Sequence, residues 1–157
     1  AARIPAQPDA EDVFRDTLEV AEKRRGSNIK VLRSSEYSVM KPLCKYMVIA
    51  TFKHRIPMLF ACRHVKQKAD ARNVRVWKAK SGIEGNPVRW RRPHVEAEQS
   101  DRWMLVDLGS VVFHAFSPEG RQYYDLDGHW EEAQQAFVEE GISHEEFLRR
   151  KQYEYRA

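Results

Sequence analysis

The stretch DRWMLVDLGSVVFHAF, residues 101–116, decides the fold of this chain. Its two apolar runs, Trp103 to Leu108 and Val111 to Phe116, are rich in β-branched and aromatic residues and predict two strands. Gly109 and Ser110 between them predict a two-residue hairpin turn, because glycine readily adopts the positive φ needed at the first turn position. The stretch therefore predicts an antiparallel pair of strands.

The segments before the hairpin alternate between helical and strand patterns. The predicted elements are a helix that Asp9 or Asp12 caps and Gly26 stops, strands at 29–33, 45–51 and 74–79, and a helix from Pro57 to Asn73. Residues 34–42 predict a connection without regular structure. This order predicts an α/β fold with a mixed β-sheet of about five strands flanked by helices.

Residues 80–100 have the composition of a long loop, with glycine, asparagine and proline along it. A connection of this length in a compact domain usually has a function. Within it, Trp90 is interleaved with arginines that can hold phosphates while the indole stacks on a base. The predicted RNA contacts are Arg89, Trp90, Arg91 and Arg92.

The chain has 157 residues and a net charge of +4, but the charge is unevenly distributed. Residues 53–95 hold 12 Lys or Arg against two acidic side chains, whereas residues 118–157 hold five basic and ten acidic ones. A basic segment suggests a nucleic-acid partner, although a solvated helix face produces the same pattern. No apolar run approaches the ~18 residues that span a bilayer, so no membrane partner is expected.

Two cysteines, Cys44 and Cys62, are too few for a disulfide framework and indicate a reducing compartment. The first residue is Ala1 instead of methionine, which we expect from either a cleaved targeting segment or an incomplete sequence. The sequence contains no C-x-x-C, H-E-x-x-H, GxxxxGK[ST] or GxGxxG motif. We therefore expect neither a metal ion nor a cofactor.

A metal-dependent nucleotidyltransferase is the enzyme that this order of elements would suit. Such an enzyme needs two alternating carboxylates on the strand after a Gly-Ser turn, to hold Mg²⁺. The strand after Gly109 carries none, Asp107 stands alone, and Asp125 and Asp127 alternate only beyond the strand. A lone His114 within a strand is more often structural than a catalytic base. We therefore predict that the protein is not an enzyme.

The C-terminal segment predicts a charged helical extension. A helix at 131–140 ends at Gly141, and Ser143 with Glu146 forms the capping box of a last helix. Because that helix has few apolar side chains, we expect it to pack on a partner or to project into solvent. The predicted organisation is an N-terminal extension at 1–11, an α/β domain at 12–130 and a helical tail at 131–157.

Three stretches together resemble the ribosomal silencing factor family (RsfS/Iojap): the hairpin at 101–116, YYDLDGHW at 123–130 and CKYMVIAT at 44–51. The resemblance implies a nucleotidyltransferase-like α/β fold without the catalytic acids. It also implies a non-enzymatic factor that binds the large ribosomal subunit at universal large-subunit protein fourteen, and there blocks subunit joining or assists assembly. The implied protein-binding residues are Trp103, Asp107, Gly109, Ser110, His114, Tyr123, Tyr124, Leu126 and Trp130.

The chain departs from the family pattern at Ser110, where the family has aspartate, and at 51–54, where the family has Thr-Gly-Thr-Ser. The long 80–100 loop and the helical tail are additional. With these departures, the chain resembles a divergent mitochondrial member of the family. We therefore expect a location in the mitochondrial matrix and rRNA as the partner of the 80–100 loop. Mitochondrial relatives also recruit a LYR-type adaptor with mitochondrial acyl carrier protein, for which the first helix and the tail are candidate sites. A nucleotidyltransferase and a free-standing RNA-binding module remain the alternatives.

Overall fold

The structure is a computed structural model that describes residues 4–78 and 89–156, with only the backbone described for Lys78 and for residues 153–156. The helices are α1 (Ala10–Lys23), α2 (Arg55–Ala71), α3 (Pro118–Tyr124), α4 (Leu126–Glu140) and α5 (His144–Arg156), with a short 3₁₀ helix at Ser38–Met40. The strands are β1 (Ser27–Arg33), β2 (Tyr46–Thr51), β3 (Val76–Lys78), β4 (Arg89–Arg91), β5 (Val95–Glu96), β6 (Trp103–Asp107) and β7 (Val111–Phe116).

Five strands form one mixed sheet in the order β1-β2-β7-β6-β5. Strands β2 and β7 are parallel, and every other neighbouring pair in this sheet is antiparallel. The predicted hairpin turn joins β6 to β7: Gly109 has a φ of +79°, and the N–H of Leu108 donates to the carbonyl of Val111 at 2.8 Å. The predicted mixed sheet flanked by helices, with a helical C-terminal extension, is confirmed.

Helices α1 and α2 pack on one face of this sheet, which we call the covered face. Alternate residues of the strands point into it, and Met104, Val106 and Phe113 there are completely buried. Pro57 lies in the first turn of α2 as predicted, where its missing N–H costs nothing. The helices contribute Val13, Phe14, Val20, Met58, Leu59, Cys62 and Val65 to this core.

The second face of the sheet is covered over only part of its width. Met47 and Ile49 of β2 and Phe116 of β7 pack there in a cluster with residues of α4, α5 and the 3₁₀ helix. Trp130 and Phe147 are the large buried side chains that α4 and α5 bring to this cluster. Over β6, the side chains that point to this second face are only half-buried.

The structure decides between the two predicted caps of the first helix and corrects its predicted end. Asp9, and not Asp12, caps α1, because its carboxylate accepts a hydrogen bond from the N–H of Glu11 at 3.1 Å. Arg25, and not Gly26, takes the left-handed conformation after the helix, with a φ of +63°. Gly26 is needed for close approach instead, since a Cβ there would lie 2.9 Å from the carbonyl oxygen of Ala21.

The connection at 34–42 was predicted to lack regular structure, and this prediction is wrong. It contains the 3₁₀ helix, whose Val39 and Met40 are buried beneath α4. The strand before it begins at Ser27, two residues earlier than predicted. A bulge separates Ser27 from Lys30 in its pairing with β2, and Asn28 in this bulge has a φ of +47°.

The prediction of one long loop at 80–100 is also wrong within the described residues. Strand β4 pairs antiparallel with β3 in a separate two-stranded ribbon, with Trp90 opposite Trp77. Strand β5 adds an edge to the main sheet by pairing with β6. Residues 79–88, where the predicted loop begins and the strand at 74–79 was expected to end, lie outside the described residues.

The C-terminal helices are tied to the domain more closely than the charged sequence indicates. Helix α4 begins at Leu126, so the predicted limit at 130/131 falls inside a helix. In α5, Phe147 is buried, and Lys151 forms an ion pair with Glu132 of α4 at 2.9 Å. At the other end, α1 already begins at Ala10, inside the predicted extension. The division into domains stays a prediction.

Within the described ranges, no helix has both the length and the apolar character needed to cross a bilayer.

Candidate functional site

The part of the second face over β6 and β7 carries aromatic and aliphatic side chains that are partly exposed, around the buried His114. We call it the open face: Trp103 and Leu105 of β6, Val112 and His114 of β7, and Tyr123 and Tyr124 of α3 at its rim. Leu105 lies opposite His114 in the strand register and belongs to neither buried core cluster. This surface arises because strand side chains alternate, so that the neighbours of each buried residue point the other way.

Trp103 and His114 are joined by a hydrogen bond across the two strands. The indole Nε1–H of Trp103 donates to Nδ1 of His114 at 3.0 Å, and the indole also packs on Phe116 and Tyr124, with ring centroids 5.0 and 4.8 Å away. Burial lowers the pKa of His114 to about 4, so the imidazole is neutral at physiological pH and can accept this bond. His114 is therefore a structural residue that orients the tryptophan, and at 7% exposed it has almost no surface for the partner contact that the resemblance implies.

The rim of the open face is formed by two adjacent tyrosines. Tyr123 is 73% exposed and Tyr124 is 42% exposed, and their rings meet edge to face with centroids 5.0 Å apart. The guanidinium of Arg102 lies over the Tyr123 ring at 6.0 Å. Exposed aromatic rings beside an arginine are the residue types that contribute most to protein interfaces, because they bury a large area with little loss of conformational freedom.

The hairpin turn lies at the end of β6 and is held by hydrogen bonds. The Asp107 carboxylate accepts from the N–H of Gly109 at 2.8 Å, and the carbonyl of Ser110 accepts from the N–H groups of Lys45 and Tyr46 at 2.8 and 3.1 Å. Three predicted site residues, Asp107, Gly109 and Ser110, are therefore together in one rigid turn. The Asp107 carboxylate stabilises this turn by its hydrogen bond to Gly109, and this structural role does not require a second carboxylate.

Two of the predicted contacts, Leu126 and Trp130, do not lie on the open face. Trp130 is 4% exposed within the core of the second face, and its ring stacks on His144 of α5 with centroids 4.4 Å apart. Leu126 is partly buried against the same cluster. The reason is that α4 turns its apolar side to the sheet, so Trp130 supports the fold and has almost no surface for a partner.

The predicted RNA contacts lie on the two-stranded ribbon. Trp90 was expected to be an exposed ring between arginines, but it is half-buried and packs edge to face on Trp77 with centroids 5.0 Å apart. Arg89 and Arg92 are exposed, and Arg91 is half-buried. Pairing of β4 with β3 brings the two indoles together, which a loop would not do.

The alternating carboxylates of Asp125 and Asp127 make structural contacts, and both cysteine thiols are buried. Asp125 caps α4 through the N–H of Gly128 at 3.2 Å, and Asp127 binds Arg121. Burial raises the pKa of both Cys44 and Cys62 to about 12, so neither thiol is reactive at physiological pH. Among the described residues, no three or more His, Cys, Asp or Glu side chains lie close enough together to hold a metal ion.

Arg121 is a central residue that the sequence did not reveal. It is 9% exposed, and its guanidinium contacts both carboxylate oxygens of Asp127 at 2.9 Å, the carbonyl of Asn28 at 2.9 Å and the hydroxyl of Thr51 at 3.0 Å. Burial works to raise the pKa of Asp127, but the hydrogen bonds and charge of Arg121 outweigh it and lower that pKa. No local signal marks Arg121, because Asn28 and Thr51 are distant in sequence.

Fold and surface together define a class of protein: an α/β domain with a partly exposed apolar face over β6 and β7. A family model described as "Ribosomal silencing factor during starvation" matches residues 7–157, and the chain belongs to this family. The predicted family is thereby confirmed.

Individual relatives agree with this assignment. The ribosomal silencing factor RsfS of Chromobacterium violaceum is 28% identical over 122 residues, which are 78% of this chain and 84% of the relative. RsfS of Bacillus subtilis is 32% identical over 81 residues, 52% of this chain and 55% of the relative. The mouse protein "Mitochondrial assembly of ribosomal large subunit protein 1" is 42% identical over 36 residues, 23% of this chain and 16% of the relative.

Solved structures show the same fold. A crystal structure of a Chromobacterium violaceum protein superposes with a TM-score of 0.61 at 23% identity, covering 79% of this chain and 88% of that one. A crystal structure from Bacillus halodurans gives a TM-score of 0.56 at 18% identity, covering 76% of this chain and 94% of that one.

Proposed function

We propose that this protein is a ribosome-associated factor that binds the large subunit through its open face and hinders subunit joining or assists assembly. Membership of the silencing factor family supports the ribosomal role. The printed name of the mouse relative adds large-subunit assembly as the process. On this proposal the protein acts by occupying space on the subunit, which requires binding and no covalent chemistry.

The observation that carries the proposal is the uncovered apolar surface over β6 and β7. Leu105 is partly exposed in the middle of a strand, although the residues on either side of it are buried. The rings of Trp103 and Tyr124 contact each other with centroids 4.8 Å apart at this surface, and Tyr123 is mostly exposed. A contiguous patch of this kind on a rigid sheet is typical of a protein-binding surface.

The proposed partner at this surface is universal large-subunit protein fourteen. The proposed contacts are the exposed parts of the open face together with the hairpin turn. His114 acts through Trp103, whose indole it holds in place at 3.0 Å. Leu126 and Trp130 support the surface from the neighbouring core instead of contacting the partner. The proposed direct contacts are Trp103, Leu105, Asp107, Gly109, Ser110, Tyr123 and Tyr124.

A location in the mitochondrial matrix is part of the same proposal. The mouse relative is mitochondrial by its printed name, and the short match to it is 42% identical. We also propose that Arg89, Trp90, Arg91 and Arg92 bind rRNA, and that the protein recruits a LYR-type adaptor with mitochondrial acyl carrier protein.

A single substitution on the open face tests the function. Leu105→Lys places a charge where the partner would bury an apolar side chain, and we expect co-sedimentation with purified mitochondrial large subunits to fall at least about tenfold. Val138→Lys is the control, because Val138 is 70% exposed on α4, outside the open face. Circular dichroism and thermal unfolding verify that both variants fold. Wild-type co-sedimentation by folded Leu105→Lys would refute the proposal.

A free-standing RNA-binding module is the alternative that the exposed arginines favour. Deleting residues 80–100 would not test it cleanly, because β5 within that range is an edge strand of the sheet. Arg89→Gln together with Arg92→Gln leaves the strands intact, since both side chains are exposed. The RNA-binding module predicts that these changes abolish ribosome binding, whereas the proposed function predicts only weaker binding.

A further inference from the structure

A second surface of unusual charge lies on the helical side of the molecule, across the sheet from the open face. It consists of Lys23, Arg24 and Arg25 at the end of α1 and of Phe60 and Arg63 on the outer side of α2, and we call it the basic face. We propose that the basic face binds single-stranded RNA, with Phe60 stacking on a base and the arginines holding the flanking phosphates.

The shape of the basic face suits this ligand. Phe60 and Arg24 line two adjoining hollows, of about 460 Å³ and 260 Å³. The first hollow is also lined by Arg63 and His64, and the second hollow is also lined by Lys23 and Arg25. None of the residues that line either hollow is acidic. An aromatic ring between cationic hollows is the arrangement by which proteins hold single strands without reading their sequence.

Within the part of the chain that the structure describes, Arg24 and Arg25 have no carboxylate partner, whereas Lys23 forms an exposed ion pair with Glu19 at 3.0 Å and Arg63 one with Glu98 at 3.5 Å. Arg72, for comparison, is bound by Asp16. Among the described residues, no carboxylate lies within 4.0 Å of the Arg24 or Arg25 guanidinium, and Nε of Arg24 donates to Nδ1 of His64 at 3.3 Å. Their charge is therefore available to a ligand.

The positive field at the basic face acts on a neighbouring side chain. Partial burial lowers the pKa of His64, and the charges of Arg24, Lys68 and Lys23 lower it further, outweighing the attraction of Glu19. His64 therefore stays uncharged at neutral pH beside the arginines. A phosphate bound there would reverse part of this effect, because a negative charge stabilises the imidazolium.

Phe60 has no packing role that accounts for its position. It is 47% exposed on the outer side of α2, although Met58, Leu59 and Ala61 beside it are buried in the core. The helix dipole of α1 favours cations at its C-terminal end, but it does not favour an exposed ring. A ligand with both a flat apolar surface and negative charge accounts for the ring and for the arginines.

The features of α2 favour RNA over a membrane surface. A helix that lies on lipid needs a continuous apolar face of its own. The apolar side of α2 is already buried against the sheet, and only Ile56 and Phe60 remain as large exposed apolar side chains on it. Ile56 and Phe60 lie one turn apart, at i and i+4, but two side chains are too few to form such a face, whereas one ring is enough to stack a base.

Fluorescence anisotropy of the full chain with a 5′-labelled oligouridylate tests this proposal. We expect Arg24→Gln with Arg25→Gln to weaken binding about tenfold and to reduce the salt slope by about 1.4, at about 0.7 per lost phosphate contact. Phe60→Ala should also weaken binding about tenfold, while Phe60→Trp should retain it, since either ring can stack. In the wild type, addition of the RNA should raise the His64 pKa measured by NMR.

The control removes the same charge elsewhere. Arg15→Gln with Arg149→Gln changes two arginines that are 70% and 64% exposed, and we expect binding within twofold of wild type. An equal loss with this control would overturn the proposal, because it would show a diffuse charge effect. Binding to phosphatidylserine vesicles but not to the oligouridylate would overturn it in favour of a membrane role. Leu105→Lys should leave RNA binding unchanged, so this proposal and the ribosomal one can fail separately.

Discussion

The two faces of the sheet are built by the same strands but carry different kinds of surface. On β6, Met104 and Val106 are completely buried under α2, whereas Trp103 and Leu105, one residue away, are partly exposed. On the covered face the side chains meet helices of the same chain, so apolar burial there stabilises the fold. On the open face the apolar side chains are only partly covered by the chain itself, so part of this surface stays accessible.

The largest effect is expected on the covered face. Phe113→Ala removes a completely buried ring that packs on Phe52, and we expect the free energy of unfolding to fall by about 4 kcal/mol. Val112→Ala, the adjacent residue that points to the other face and is half-buried, should cost about 1 kcal/mol. Urea unfolding measures both. Equal losses at the two positions would show that the faces do not differ in their contribution to stability.

The next effect concerns the buried ion pair that joins α3 and α4 to the sheet. Arg121→Met leaves the Asp127 carboxylate with the more distant Lys30, at 3.8 Å, in place of the bidentate guanidinium, and we expect the unfolding free energy to fall by about 3 kcal/mol. Arg149→Met removes an exposed ion pair with Glu146 and should change it by less than about 0.5 kcal/mol. Urea unfolding at neutral pH measures both variants, and a loss of similar size in both would contradict the central role of Arg121.

A pH-dependent effect is expected from the open face. Because the pKa of His114 is lowered to about 4 in the folded protein from 6.5, the unfolded chain binds the proton more readily between these values. The contribution of neutral His114 to the free energy of unfolding is complete above pH 6.5 and decreases as the pH falls. At pH 4.5 the free energy of unfolding has fallen by between about 2 and 3 kcal/mol. His114→Asn keeps an acceptor for Trp103 and does not titrate. Unfolding at several pH values should therefore show a shallower acid loss for this variant than for wild type.

The smallest effect on stability is expected at the rim of the open face. Tyr123→Ala removes a ring that is 73% exposed, so the unfolding free energy should change by less than about 0.5 kcal/mol. Binding to large subunits should nevertheless weaken about tenfold, because exposed aromatic rings contribute strongly to interfaces. Val138→Ala, at a residue 70% exposed on α4, should change neither quantity. Unchanged subunit binding by Tyr123→Ala would remove the rim from the interface.

Much of the fold could be predicted from short stretches of sequence, because backbone preferences and the spacing of apolar side chains act between neighbouring residues. The hairpin depends on a glycine at a position of positive φ, and α2 depends on an apolar stripe and a proline in its first turn. Strands β4 and β5 were missed because strands of three and two residues carry too little periodicity. Their pairing with β3 and β6 comes from tertiary contacts.

The candidate site was predicted only in part for a related reason. Trp103 and Trp130 look alike in sequence, since each lies in an apolar and aromatic setting. The structure separates them because α4 packs over β2 and covers β6 less, so that Trp130 is buried and Trp103 is partly exposed. Leu105 was missed because an alternating strand does not show which of its faces a helix will cover.

The sequence by itself determined which segments become helices and strands, where the hairpin turns, and to which family the chain belongs. These properties depend on backbone preferences and on the spacing of apolar side chains, which neighbouring residues set. Only the tertiary structure decided which aromatic residues are available to a partner and that Arg121 joins four segments of the chain. The reason is that exposure and buried ion pairing depend on segments distant in sequence, and only folding brings these segments into contact.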